Sequence, residues 1–312
     1  MNNARERGGR CCSRSRSGMN ATTVARGVQP GELWPGVTAA LSFSSVDILI
    51  KVVFASGMDV VTMVSLRGVL VVAFMYAWLR IQKPPVRHTH QQRRVAWVIG
   101  VIFAGSMYSL MEAISLLPVS IAILAYFAYP LLTGFVGGIT GIDRLGWPAL
   151  LTALAAFVGL ALMLGAELHH LSGLGIAWAL AAACFRVVSL LMTRVYLNGT
   201  DARLTTWYSM LPSTLLFVIA SIVIGEWHTP RSFLGWAAFA GTSMGSTLST
   251  LLIYMSTNRI GPFRTAFIMN LEPLVTTILS ILLLGEMLTP LQALGAAVML
   301  VSLCVFQFVR AR

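Results

Sequence analysis

The segment from Ile260 to Phe308 constrains the fold most, because it holds two apolar stretches that are each long enough to cross a bilayer. Glu272 lies in the middle of the first stretch, and Pro273 follows it directly. A charged group at the centre of a membrane helix costs about 2.5–3.5 kcal/mol. Proline lacks an N–H and deprives the carbonyl four residues earlier, on Met269, of its usual donor. Both features predict that this helix face points into protein or into a wet cavity rather than into lipid.

The composition indicates a membrane protein throughout. Of the 312 residues, 57% are hydrophobic and only 11% are charged, whereas about 25% is typical of soluble domains. In such a chain, a net charge of +11 orients the loops and does not indicate a nucleic-acid partner. The four cysteines show neither metal-ligand spacing nor the pattern of a disulfide framework.

Residues 1–33 form a polar, arginine-rich segment without the apolar core of a secretory signal peptide. Three interpretations remain open. The segment is a disordered cytoplasmic tail, which we favour; an organelle transit peptide, because it is rich in Arg and Ser and nearly free of acids; or a region upstream of a true start at Met19.

Apolar segments of about 20 residues recur along the remainder of the chain. We predict an all-α integral membrane protein with ten transmembrane helices, near residues 35–54, 60–79, 95–117, 119–140, 147–165, 172–194, 205–225, 233–256, 262–284 and 290–309. The division of residues 95–140 into two spans depends on Pro118, since proline is unfavourable inside a helix.

The loop charges predict the orientation. If the N-terminus is cytoplasmic, the tail and the loops on the same side carry every loop Lys and Arg except Arg231. Because positive charge accumulates in cytoplasmic loops, both termini are expected in the cytoplasm, in a plasma or inner membrane.

The second half of the chain resembles the first at an offset near 143. Tyr129-Pro130-Leu131 aligns with Glu272-Pro273-Leu274, and the stretch from Lys51 to Asp59 resembles the stretch from Arg194 to Asp201. The predicted repeats are residues 34–166 and 171–309, with five spans each. An odd number of spans inverts the second repeat relative to the first, an arrangement typical of secondary transporters with a substrate site near the midplane.

These motifs resemble the EamA-domain branch of the drug/metabolite transporter superfamily over residues 34–309. The strongest are Leu271-Glu272-Pro273, the run from Gly285 to Thr289, and Gly295-Ala296-Ala297; the first half contributes Ala122 through Pro130. Ile142-Asp143 departs from the family, which usually has Gly-Glu there. The resemblance implies transport of a small metabolite or drug-like solute, with membrane lipid as surroundings and without a cofactor or an enzymatic activity.

Four charged residues inside the spans are candidates for a binding site or for ion pairs. Glu272 can bind a cation or carry a proton, or it can be a structural carboxylate. Glu112 in span 3 can face a cavity or extend to the membrane surface. Arg67 in span 2 can hold an anion through its planar guanidinium, or pair with Glu112 or Asp47, and Arg186 in span 6 has the same alternatives.

Two prolines occupy corresponding positions of the repeats and predict helix breaks. Pro130 withdraws a donor from the Tyr126 carbonyl, as Pro273 does from Met269. Paired breaks of this kind point to a midplane site. Tyr126, Tyr129 and Asn270 lie beside the breaks, where they can donate hydrogen bonds to a substrate or simply pack.

Other polar and small residues favour structural roles. Asp47 and Lys51 are spaced i, i+4 on span 1 in the order that suits an ion pair. Asp143 and Glu286 are predicted to cap helices. Small-xxx-small spacing predicts close helix contacts, with a homodimer face as the alternative, at Gly134, Gly137, Gly138, Gly141, Gly241 and Gly245.

The leading interpretation is therefore a secondary transporter that works by alternating access, with the proton as a candidate coupling ion. The sequence contains no phosphate-binding P-loop and no HExxH motif, so ATP-driven transport by this chain alone is not expected. The alternative is a non-transporting membrane scaffold or a membrane-embedded enzyme. A scaffold would not require central carboxylates or paired breaks, and an enzyme would require convergent catalytic groups.

Overall fold

A computed structural model describes residues 30–82, 87–117, 119–142, 146–165, 172–225, 227–284 and 289–308. Within these ranges every regular element is helical, so the predicted all-α membrane class is confirmed. Most of the predicted tail lies outside the described residues, as do Pro118, Asp143 and Glu286.

The described residues form a short 3-10 turn, Pro30–Glu32, and then twelve α-helices. The first half contains α1 Trp34–Ala55, α2 Val60–Ile81, α3 His90–Leu116, α4 Val119–Tyr126, α5 Tyr129–Ile139 and α6 Trp147–Leu164. The second half contains α7 Gly173–Tyr196, α8 Ala202–Ile224, α9 Phe233–Ile260, α10 Pro262–Ile268, α11 Leu271–Leu284 and α12 Pro290–Phe308.

Eight helical segments in the described ranges are long and apolar enough to cross a membrane. The predicted eighth span corresponds to α9, which has 28 residues but carries many serines and threonines. The predicted tenth span corresponds to α12, which is apolar but shorter than most of the others. The total of ten crossings therefore stays a prediction.

Two predicted spans are interrupted by a turn. Residues 127–128 separate α4 from α5, and residues 269–270 separate α10 from α11. Pro130 and Pro273 lie in the first turn of α5 and α11, where a missing N–H breaks no helical hydrogen bond. The Met269 carbonyl, expected to lack a donor, instead accepts the N–H of Glu272 at 3.0 Å. The turn itself therefore satisfies this carbonyl.

The main helix contacts are symmetric between the halves. They recur when α1 to α6 are replaced, in order, by their counterparts α7 to α12, and the reverse. The contact of α1 with α9 corresponds to that of α7 with α3, and the contact of α1 with α11 to that of α7 with α5. The α2–α8 and α6–α12 contacts each join a helix to its own counterpart. Every one of these contacts crosses between the halves, so neither half buries its apolar surface alone.

Asp59 begins α2 and ties this helix end to the loop before α9. Its carboxylate accepts the N–H of Thr62 at 2.9 Å and the backbone N–H of His228 at 3.2 Å. Burial raises the pKa of Asp59, but the hydrogen bonds from Thr62 and His228 outweigh it and leave the pKa below its usual value. Gly57, with φ of 94°, permits the turn that places Asp59 at the N-cap of α2.

Asp201 does the same for α8 at the opposite end of the α2–α8 pair. Its carboxylate accepts the N–H of Arg203 at 2.9 Å and pairs with the Arg203 guanidinium at 2.7 Å. Gly199 precedes it with φ of 73°. Arg203 also reaches the Gln82 carbonyl at the end of α2, 3.5 Å away, so α2 and α8 run antiparallel.

His88 faces Asp201 from the other half, as His228 faces Asp59. Its ring shares a 3.2 Å hydrogen bond with the Thr205 hydroxyl and meets the Tyr208 ring edge to face, 5.7 Å between centres. Burial lowers the pKa of His88, Asp201 raises it and Arg93 lowers it, so that the pKa lies below 6.5. Each end of the α2–α8 pair thus carries an Asp cap facing a His from the other half.

Glycines allow the closest helix crossings. A Cβ on Gly159 would lie 2.7 Å from the backbone nitrogen of Met299, and a Cβ on Gly295 would collide with the backbone of Met163, so α6 and α12 meet backbone to backbone. Among the predicted packing glycines, Gly245 faces Val46 of α1 and Gly134 faces Phe263. Gly138 has open space around it.

We expect Gly159→Ala to destabilise the protein by about 1–3 kcal/mol, because two backbones would have to separate to admit one methyl group. Thermal unfolding of the purified protein in detergent measures this as a lower melting temperature. Gly138→Ala is the matched control and should be neutral or slightly stabilising, since it adds a helix-favouring methyl to open space. Equal melting temperatures for the two variants would contradict the predicted crossing.

We expect His88 to make stability depend on pH. Because its pKa is lower in the folded protein, the unfolded chain binds the proton first as the pH falls below about 6.5, and stability is then lost. His88→Gln keeps a hydrogen-bonding group for Thr205 but does not titrate. Its melting temperature should fall less than that of the wild type between pH 7 and pH 5.5. His90→Gln at an exposed position is the control, and a wild-type slope in His88→Gln would refute the role.

Candidate functional site

The site begins at the contact between α1 and α11. Glu272 lies at the start of α11, in the middle of the apolar segment from Pro262 to Leu283. The Ser44 hydroxyl shares its one proton between the Glu272 carbonyl, 2.9 Å away, and the Ala40 carbonyl, 2.8 Å away. This bond fixes the register of α11 against α1 at the depth of the helix break.

Asp47 lies one helical turn beyond Ser44 and faces the same helix. Its Oδ2 accepts the hydroxyl of Thr276, which lies one turn beyond Glu272, at 2.9 Å. The charges of Asp47 and Glu272 are close enough to repel each other. Two neighbouring carboxylates lower this repulsion when they hold one proton between them. The α1–α11 contact therefore presents a pair of carboxylates.

Arg186, on α7, supplies the opposite charge. Its guanidinium lies 5.8 Å from the centre of the Tyr129 ring. It is within electrostatic reach of Glu272 and of three tyrosines, Tyr126, Tyr129 and Tyr254. Its Nε is buried and has no hydrogen-bond partner among the described residues. A buried donor without an acceptor costs roughly 1–3 kcal/mol, so this nitrogen indicates room for one more acceptor.

Aromatic side chains surround the arginine. The Tyr126 and Tyr129 rings lie 5.4 Å apart across the first helix break. Tyr254 comes from α9 and donates to the Ser209 hydroxyl at 3.0 Å. Asp47, Glu272 and Arg186 are each only half-buried although they lie deep in the bundle. We infer that they border a space open to water at the junction of the two halves.

The structure places Arg67 apart from this group. It lies on α2, and its Nη1 donates to the Ser246 hydroxyl of α9 at 3.4 Å. In the described part of the chain no carboxylate pairs with Arg67. The alternative of an ion pair with Glu112 or Asp47 is therefore not what the structure forms, and the anion-binding role stays a prediction.

Glu112 also lies elsewhere. Its carboxylate hydrogen-bonds the hydroxyl of Tyr108, a residue that is 53% exposed. The Tyr108 ring packs edge to face on Trp178 of α7, 5.9 Å between centres. Glu112 thus occupies the outer side of the α3–α7 contact, and its predicted part in binding is not tested by this placement.

The remaining predicted residues lie at the helix breaks. Asn270 is buried in the turn between α10 and α11, where its N–H donates to the Phe267 carbonyl at 3.1 Å. Tyr126 ends α4, and Pro130 and Pro273 lie in the first turns of the helices that follow the two breaks. The structure brings Tyr126 and Glu272 to the same arginine, and their roles in substrate binding remain predictions.

The sequence predicted an ion pair between Asp47 and Lys51, and it did not predict that Asp47 lies beside Glu272. The Lys51 ammonium donates to Ser280 of α11 at 3.5 Å, so both residues face α11. Tyr254 and Ser209 were also missed. The sequence signal for Asp47 was an acidic side chain inside a predicted span. Nothing in the sequence distinguished Tyr254 from the many other aromatic residues.

A separate cavity of about 350 Å³ lies where α3 and α8 begin. It is lined by Arg87, His88, Arg93, Leu204 and Tyr208. It belongs to the end of the bundle where Asp201 faces His88, not to the group around Glu272.

The EamA-like transporter family model matches two segments of the chain, residues 30–165 and 173–307. The chain belongs to the EamA-like transporter family. The predicted resemblance is thereby confirmed, and the two matched segments leave out only the termini and a short linker. This family member is a multi-pass membrane protein of a transporter family, as the sequence predicted.

Individual relatives agree with the family assignment. The threonine/homoserine exporter RhtA of Escherichia coli is 29% identical over 244 residues, which are 75% of this chain and 76% of the exporter. A Synechocystis protein described as an uncharacterized transporter is 26% identical over 204 residues, 63% of this chain and 61% of that protein.

The fold is also present in a solved crystal structure. That structure matches with a TM-score of 0.74 over 91% of this chain and 98% of the other, at 18% sequence identity. At this identity the match shows a shared fold and says nothing about the substrate.

Proposed function

We propose that this EamA-like protein is a secondary transporter that moves a small organic solute by alternating access between two inverted halves, residues 34–166 and 171–309. One observation carries the proposal. Three charged side chains, Asp47, Glu272 and Arg186, meet half-buried beside a helix break, and both halves contribute to the group. Charged residues this deep in a membrane are expensive and mark substrate or ion paths.

The exchange symmetry of the packing supports the mechanism. The α2–α8 and α6–α12 contacts join counterpart helices of the two halves, and α2 runs antiparallel to α8. Secondary transporters built from inverted repeats open to either side when one half rocks against the other around a fixed midplane site. The proposed site is the group of three charges, which lies where α1 of one half contacts α11 of the other.

Glu272 is the proposed coupling residue. Its neighbour Asp47 disfavours a second negative charge, while Arg186 favours one. A carboxylate under such opposed influences changes its proton occupancy when the distance to either neighbour changes. Rocking of the halves alters the distance between Glu272 and Asp47, because Asp47 lies on the first half and Glu272 lies with Arg186 on the second. A proton can therefore be bound on one side of the membrane and released on the other.

The first substrates to test are amino acids of the threonine and homoserine type, exported from the cell, because a relative is named for exporting them. The same proposal includes ten crossings with both termini cytoplasmic in the cell membrane. The loop charges support this orientation, since Arg231 alone among the loop cations falls on the outer side.

Reporter fusions measure the orientation. We expect fusions at Arg87 and Arg203 to report the cytoplasm and a fusion at Arg231 to report the outside, because cationic loops stay inside. The Arg87 and Arg203 positions test the same face, since Arg203 contacts the end of α2. An Arg231 fusion that reports the cytoplasm would contradict the ten-span arrangement.

Glu272→Gln tests the coupling role in reconstituted vesicles. Gln keeps the shape and the hydrogen bonding of the side chain but cannot titrate. We expect the variant to exchange solute for solute at a rate near that of the wild type, and to lose accumulation driven by a pH gradient. Glu32→Gln, at an exposed position in the 3-10 turn before α1, is the matched control and should accumulate solute normally.

Accumulation equal to that of the wild type in a well-folded Glu272→Gln protein would refute the coupling role and direct attention to Asp47 and Glu112. A protein that melts at much lower temperature would instead show a structural carboxylate, because removing one member of a buried charge pair leaves the other uncompensated. Absence of both exchange and accumulation in wild-type vesicles, for every solute tested, would count against transport itself.

A further inference from the structure

We propose that the central site has two poles and takes a compact zwitterion, with Arg186 holding the carboxylate of the solute and the Asp47–Glu272 pair holding its amino group. This inference rests on the proposed transport function and deepens it. It assigns a substrate class and the orientation of the solute, and it adds Arg186 and Asp47 to the binding residues.

The anionic pole follows from the state of Arg186. Its Nε is buried without an acceptor among the described residues. Its guanidinium lies 5.8 Å from the centre of the Tyr129 ring and hydrogen-bonds the Tyr129 hydroxyl, an acceptor that carries no charge. A guanidinium binds a carboxylate through two parallel hydrogen bonds, so an incoming carboxylate would supply the missing acceptor and a counter-charge together.

The tyrosines make this end selective for an acceptor. Tyr126, Tyr129 and Tyr254 lie within electrostatic reach of Arg186. Each hydroxyl can donate a hydrogen bond, and the Tyr254 hydroxyl is held in place by Ser209 at 3.0 Å. A ligand with an ammonium group at this end would meet a like charge on Arg186 and hydroxyl donors around it.

The cationic pole follows from the two carboxylates that meet at the α1–α11 contact. Asp47 and Glu272 repel each other there and Arg186 attracts Glu272, while the Lys51 ammonium, one turn from Asp47, donates to Ser280. Asp47 accepts only one hydrogen bond from a described side chain, that of Thr276. A carboxylate has further lone pairs, and an ammonium group can donate to both acids and relieve their repulsion.

The order of the groups sets the orientation. Glu272 neighbours both charged groups: Asp47 accepts the hydroxyl of Thr276, one turn beyond Glu272 on α11, and Arg186 on α7 is within electrostatic reach of Glu272. A solute whose amino and carboxyl groups share one carbon presents both charges on one side and can bridge neighbouring poles. A solute with a single charge can satisfy one pole only.

The test measures ligand binding to the purified full-length protein in detergent. Thermal stabilisation by each common L-amino acid identifies the best ligand, beginning with L-threonine. Titration calorimetry then compares L-threonine with 1-amino-2-propanol, which lacks the carboxylate, and with 3-hydroxybutyrate, which lacks the amino group. If another amino acid binds best, the comparison uses its decarboxylated and deaminated counterparts. We expect the zwitterion to bind at least about tenfold more tightly than either, as expected for paired charge-assisted hydrogen bonds.

Variants assign the poles. Arg186→Gln should reduce the affinity for the amino acid to that for the amine and leave the affinity for the amine within about twofold, since only the carboxylate contact is lost. Asp47→Asn should reduce the affinity for the amino acid to that for the hydroxy acid, and it should leave the affinity for the hydroxy acid nearly unchanged. Arg186→Lys keeps the charge without the planar fork and should lose part of the affinity. Arg80→Gln and Glu32→Gln, both exposed, are the controls.

The outcomes separate this inference from the proposed function. If neither Arg186→Gln nor Asp47→Asn changes the affinity for the amino acid, the two poles are overturned. They are also overturned if Arg186→Gln weakens binding of the amine or Asp47→Asn weakens binding of the hydroxy acid. If no amino acid binds and vesicles transport a solute without these groups, the poles fall while transport stands. Where Arg186→Gln does not fold, Arg186→Lys and Asp47→Asn decide between the outcomes.

Discussion

The cost of keeping charge inside a membrane governs this structure. Asp47 and Glu272 repel each other, and each would be expensive in lipid. The fold holds them at the contact of α1 with α11, with a hydroxyl from Thr276 on one and Arg186 from α7 within reach of the other. Because Asp47 on α1 belongs to the first half, and Glu272 and Arg186 belong to the second, the group of three charges forms only where the halves meet.

The two helix breaks determine which groups face the contact between the halves. A continuous helix presents only side chains, whereas the turns at residues 127–128 and 269–270 bring the Tyr129 ring and the Glu272 carboxylate to the start of a new helix. Proline is tolerated in the first turn of both helices because its missing N–H breaks no helical hydrogen bond there. The same residue that would damage a helix interior therefore positions the site, and it does so once in each half.

Much of this could be predicted from the sequence, for identifiable reasons. Apolar length predicted the helices, Pro130 and Pro273 predicted where two of them break, and the depth of Glu272 predicted a polar centre. The pairing of Asp47 with Glu272 could not be predicted, because it depends on which helix packs against α1. Local spacing favoured Lys51 as the partner of Asp47, since i, i+4 neighbours are visible in sequence and contacts more than 200 residues apart are not. For the same reason the sequence favoured Arg67 and Glu112 over Arg186 as partners of Glu272 in the central site.

At the ends of the bundle, as at its centre, a carboxylate of one half faces a polar or charged group of the other. These contacts lie near water and therefore cost less free energy to form. Asp59 and Asp201 cap α2 and α8, and each faces a histidine of the opposite half, at opposite ends of one antiparallel pair. These contacts hold a cap and a loop together near water, where separating them exposes groups that water can solvate. The central charges have no such alternative, because a buried charge without its partner stays uncompensated. In the proposed rocking of the halves, either end can therefore open at low cost, whereas the central charges are stabilised by a partner, a proton or a solute.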